Sequence, residues 1–167
     1  MGRSLPEEAN EMSDRGSAHG VSSKPVLATG VLKWEPFALF YARFALGAAF
    51  LSAVAARFGI WGENTGPDSF KHFIEYTAEV NSFMPTFIIP FLAWAATIVE
   101  TFLGVTLILG IWARFVALAA AGLLLLFGTA MAISFGIKSP LDYSVFSASA
   151  GALLLAVCQF RKAGANL

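Results

Sequence analysis

The sequence predicts an all-α membrane protein: a polytopic bundle of four transmembrane helices in up-down order, with a short amphipathic helix in the first loop. Three observations carry that prediction. The composition is 57 % hydrophobic and 13 % charged, against roughly 25 % charged residues in soluble domains. Four apolar runs are each about twenty residues long, enough to cross roughly 30 Å of hydrocarbon at 1.5 Å per residue. The links between the last three runs leave room only for tight reversals, so neighbouring helices run antiparallel.

Residues 1–30 form a polar tail of Ser, Gly, Glu and Asp without an apolar face, a composition expected to be disordered. Residues 31–162 make up the transmembrane domain. Its first span covers 36–56, with Lys33 and Trp34 before it and Arg57 after it as anchors at headgroup level. The second covers 86–109 and stops at Gly110, where Ile111-Trp112-Ala113-Arg114 turns the chain. The third, 115–135, carries no charge, and Gly136-Ile137-Lys138 turns the chain again. The fourth, 140–160, opens on Ser139-Pro140-Leu141-Asp142, which supplies a capping serine, a proline at the first helical position and an acid three residues after the cap. Arg161 and Lys162 close it.

The first link is long, from Phe58 to Pro85. Within it Phe70, Phe73, Ile74 and Val80 share one helical face and Lys71, Glu75 and Glu79 the other. This amphipathic helix begins behind Pro67-Asp68, stops at Asn81, and lies on the membrane surface or lids the bundle. With both termini in the cytoplasm, Lys24, Lys33, Arg114, Arg161 and Lys162 fall inside near the membrane, against Arg57, Lys71 and Lys138 outside. The excess of positive charge favours that orientation.

The remaining composition prunes the chemistry. Net charge is zero, so no basic surface points to nucleic acid. One cysteine, Cys158, excludes an internal disulfide or a CxxC pair. His19 and His72 fall outside the spans, which argues against a haem ligated between helices, and no cluster has metal-ligand spacing. No intrinsic cofactor is expected, and no residue is assigned a catalytic role.

Two charges stand inside the spans: Arg43 in the first and Glu100 in the second. A charge at the bilayer centre costs at least about 2.5 kcal/mol on insertion scales, so such residues face the bundle and find partners. With the spans aligned end to end, Arg43 is roughly 10 Å and Glu100 roughly 13 Å from the cytoplasmic side. Ala96, Glu100 and Gly104 form a stripe spaced by four, and Gly47 stands one turn beyond Arg43, which opens room for close helix approach. These features predict an Arg43–Glu100 ion pair, which either fixes helix register or serves as a ligand or proton site. Lys138, Asp142 and Tyr143 cluster at the outer end of the fourth helix as candidate contacts at the bundle mouth.

The segments RFALGAAFLSAVAARFGIWG, NSFMPTFIIPFLAWAATIVETFLGVTLILGIWAR and GIKSPLDYSVFSASAGALLLA resemble the DoxX family of bacterial integral membrane proteins, and together they reach from about residue 35 to 160. The resemblance implies a four-helix protein of the bacterial inner membrane. It further implies a membrane subunit or anchor of a redox complex, linked to thiol and sulfur chemistry or to quinone. A quinone is the cofactor it suggests, with Arg43 and Glu100 lining an interior site and a soluble redox enzyme as partner beside the lipid bilayer. Two other classes stay open: a small proton-coupled transporter or permease, and an integral-membrane enzyme acting on a quinone or lipid. Self-association, and whether the chain itself catalyses a reaction, also stay open.

Overall fold

The computed structural model describes residues 26–62 and 65–165. The tail expected over 1–30 lies outside the described residues as far as position 25, and residues 26–30 already belong to the first helix. Among the described residues six α-helices follow in order: α1 (Val26–Arg57), α2 (Ser69–Val80), α3 (Ile89–Leu109), α4 (Ala113–Phe135), α5 (Lys138–Asp142) and α6 (Val145–Ala165). A 3-10 turn, Thr86–Ile88, leads into α3. The chain divides after Glu35, and the unit described below begins at Pro36.

Three stretches have the length and hydropathy of membrane spans: Trp34–Arg57, Thr86–Leu109 and Ala113–Phe135, with mean hydropathy 1.7, 1.9 and 2.3. A shorter apolar helix, Val145–Arg161, is the fourth. The expected helical bundle is therefore borne out. Large apolar side chains turn outward, among them Phe91, Ile98 and Phe102 on α3, as a lipid-facing surface requires.

Small residues form the interior, because lipid is as apolar as leucine and association relies on close packing. Ala117, Ala120 and Ala121 of α4 meet Ala152, Leu155 and Ala156 of α6 in one buried cluster. The buried Ser149 Oγ donates to the Ala121 carbonyl oxygen at 2.8 Å, tying the same two helices. Between α1 and α3 the contact is closer still. A Cβ placed on Gly47 would lie 2.8 Å from the Gly104 oxygen, and one on Gly104 would lie 2.8 Å from Leu51 Cγ. Two glycines are needed for the backbones to come this near.

At the α3 end, the Ile111 N–H bonds to the Thr106 oxygen and the Gly110 N–H to the Leu107 oxygen. This is the Schellman arrangement, with Gly110 in the left-handed region (φ 74°). Trp112 is left-handed too (φ 45°), and it compresses the reversal between α3 and α4.

The fourth helix begins later than the sequence suggests. Ser139-Pro140-Leu141-Asp142 falls within α5, a single turn whose Ser139 N–H bonds back to the Gly136 oxygen. Ser144 then takes a left-handed conformation (φ 54°). No such residue fits within a right-handed helix, so α6 starts afresh at Val145, and the Ala148 N–H donates to the Ser144 carbonyl oxygen.

The amphipathic α2 matches its expected bounds. Thr77 and Val80 are buried, while Lys71, Glu75 and Glu79 are exposed. It packs on α3 and α4. Its C-terminal end is tied down by the Ser134 Oγ of α4, which donates to the Val80 oxygen at 2.6 Å. Near its N-terminal end, Phe70 stacks on Phe58 and packs against Trp94, with ring centroids 5.7 and 4.4 Å apart. This helix therefore covers the end of the bundle where α1 finishes and α3 starts.

Candidate functional site

Glu100 stands at the middle of α3 and is 2 % exposed. Desolvating a carboxylate this completely is costly unless a cation and further hydrogen bonds compensate. The compensation comes from Arg57, the last residue of α1. Its Nη2 donates to both carboxylate oxygens, at 2.6 and 2.8 Å. Its Nη1 donates to Thr97 Oγ1 at 3.1 Å, one turn earlier on α3. Thr97 in turn donates to the Ala93 oxygen at 2.8 Å. The guanidinium carbon lies 3.9 Å from the centroid of the Phe73 ring, so α2 covers one side of the cation.

The expected partner of Glu100 was Arg43, and the structure corrects that pairing. Arg43 and Arg57 are fourteen residues apart on α1, about 21 Å along a helix axis. The Gly47–Gly104 contact sets the register of α1 against α3. In that register Arg43 falls beside the last turn of α3, where its Nη1 is 2.7 Å from the position a Cβ on Gly110 would take. The carbonyl end of a helix carries partial negative charge, which suits a guanidinium. Arg43 Nε is buried there without a hydrogen-bond partner. The end-to-end alignment of spans failed because α1 runs through Pro36 instead of starting there.

Two cavities flank the ion pair. The larger, about 430 Å³, lies between α2, α3 and α4. Phe73, Tyr76, Thr77 and Val80 of α2, Leu92 and Ala96 of α3, and Leu126, Phe127 and Met131 of α4 line it, and it reaches Arg57. The smaller, about 200 Å³, lies between α1, α4 and α6 and touches both Arg57 and Glu100. Arg57 and Phe127 line both cavities, so these two side chains form the partition.

Tyr76 of α2 lines the larger cavity and is half-buried. Burial pushes its phenol above the ordinary range, and Tyr143 and Glu79 push the same way. It is accordingly a protonated donor at neutral pH. Lys138 and Asp142 pair with each other across one turn of α5 and are exposed. Neither they nor Tyr143 lines either cavity. Among the described residues, no group of three His, Cys, Asp or Glu has the spacing to hold a metal ion.

Arg57 is the residue that sequence reasoning missed as part of the site, because a cation directly after an apolar run reads as a headgroup anchor. The signal that would have found it is the small-residue spacing itself. Once Gly47 is placed opposite Gly104, the end of α1 comes near the level of Thr97, within reach of Glu100.

No curated protein and no solved structure matches the chain significantly. The sequence pattern of the DoxX family matches residues 38–133, which includes Arg57, Thr97, Glu100 and the Arg43–Gly110 contact. That match spans more than half of the sequence, and the chain belongs to the DoxX family.

Proposed function

We propose that the protein is a membrane subunit of a redox complex, and that it holds a lipid-soluble quinone in the cavity between α2, α3 and α4. The observation that carries this reading is the cavity's construction: about 430 Å³ of mainly apolar wall ending at a hydrogen-bonded guanidinium. Small-molecule sites are typically about 300–1,000 Å³, apolar, with a few placed polar groups. A quinone would supply electron and proton carriage within the bilayer. The chain's part is to bind and orient: apolar side chains such as Leu92 and Leu126 take the isoprenoid portion, and Arg57 meets a ring oxygen. Tyr76 offers a second donor near α2. A soluble redox enzyme supplies the chemistry that one cysteine cannot. The setting we propose is the bacterial inner membrane, with both termini cytoplasmic and α2 on the outer face.

The test is extraction of the full chain in native lipid, with quinone measured by mass spectrometry against the bulk membrane. Enrichment that Arg57→Ala abolishes supports the reading. Quinone at no more than its bulk proportion sinks it.

A further inference from the structure

The charge arrangement at the inner end of the larger cavity specifies the ligand more narrowly, on the reading that the cavity is a ligand site. A lone arginine at that place would recruit carboxylates and phosphates, which it grips bidentately. This arginine is not alone. Nη2 donates to both carboxylate oxygens of Glu100, and Nη1 donates to Thr97. A guanidinium has five N–H donors, so at least two remain for a guest. Arg57 is the charged side chain among the cavity's lining, and Glu100 neutralises it from behind. The other polar residues lining the space, Tyr76, Thr77, Asn81 and Thr129, are neutral. An incoming anion would meet a cation already paired and a carboxylate directly beyond it, in surroundings that screen charge poorly. A carbonyl, ether or hydroxyl needs only the spare donors.

We propose that this cavity selects amphiphiles with uncharged polar heads and excludes anionic ones, with Glu100 as the specificity-determining residue. Glu100 acts through Arg57, by cancelling the charge that a phosphate or carboxylate would otherwise find.

The experiment uses the full chain purified in a neutral detergent and offered an equimolar mixture of a monoacylglycerol and a lysophosphatidic acid of the same acyl chain. Bound lipid is counted by native mass spectrometry. The expected result is at least a tenfold preference for the monoacylglycerol in the wild type. Glu100→Gln exposes the arginine and should cut that preference at least tenfold. The double variant Arg57→Gln/Glu100→Gln, which is neutral again, should restore it. Equal retention of the two lipids by the wild type overturns the proposal, as does a Glu100→Gln ratio that does not move. If Glu100→Gln does not fold, a preference for lysophosphatidic acid in the wild type or the double variant overturns it. Neutral selectivity together with no quinone enrichment would defeat the redox reading and leave this one standing. Retention of neither lipid defeats the cavity as a lipid site.

Discussion

Arg57 Nη2 lies 2.6 and 2.8 Å from the two carboxylate oxygens of Glu100, joining the last residue of α1 to the middle of α3 across 43 positions of sequence. Removing one member of a buried ion pair strands the other, at a cost of about 3–5 kcal/mol. Arg57→Ala and Glu100→Ala should each destabilise by about that much, and the double variant by clearly less than the two added together. Arg43→Ala should show no coupling to Glu100→Ala. Reversible unfolding in mixed micelles gives all of these energies.

The glycine contact between α1 and α3 predicts a sharp contrast among glycines. A methyl group on Gly47 would lie 2.8 Å from a backbone oxygen, which the neighbouring helix can relieve only by moving away. Gly47→Ala and Gly104→Ala should each cost about 1–3 kcal/mol through overpacking. Gly122 and Gly151 have nothing within 4 Å of such a methyl, and alanine there should be neutral or stabilising by up to about 1 kcal/mol. The same unfolding assay separates the two pairs.

α2 depends on Ser134 for its hold on the end of α4. Ser134→Ala should cost about 1 kcal/mol, but its main effect should be local. Amide hydrogen exchange should quicken over residues 69–82 and stay unchanged over the α4–α6 interface. Uniform quickening over both regions would contradict an α2 that can loosen independently.

Tyr76 predicts a pH dependence. Its phenol titrates above the ordinary value in the folded protein, so folding favours the neutral form. The stability this contributes is complete below the unfolded pKa and is lost as pH rises through the folded one. An ultraviolet phenolate titration should show a late component that Tyr76→Phe removes, and the Tyr76→Phe protein should lose less stability at alkaline pH than the wild type.

The spans were legible because hydropathy and length are properties of single segments. The apolar runs ending at Leu109 and Phe135 stop where the structure stops them, and the alternation of Phe73 with Lys71 and Glu75 located α2. Glu100 was legible as a buried group by its depth alone. Its partner was not, because pairing depends on the register between two helices, and register was assigned from where the apolar runs begin. The glycines overrule that assignment: Gly47 against Gly104 shifts Arg43 toward Gly110 and brings Arg57 inward. The break at Ser144 was hidden for a different reason. Ser139, Pro140 and Asp142 do make a good helix start, and they start α5; nothing in the residue types says that the turn ends after five residues.

That break has a mechanical consequence for the surrounding lipid. The apolar run of α6 starts at Val145 and ends at Phe160, ahead of Arg161 and Lys162, about 24 Å at 1.5 Å per residue, whereas the apolar runs of its neighbours are long enough to match a hydrocarbon layer of roughly 30 Å. The protein is thus unequal in hydrophobic thickness around its circumference. Beside α6 the leaflets should thin, at a cost of a fraction of a kcal/mol for each ångström of mismatch. Shorter acyl chains relieve that cost, so the annulus of lipid around the bundle should be graded, with the shortest chains gathered along α6.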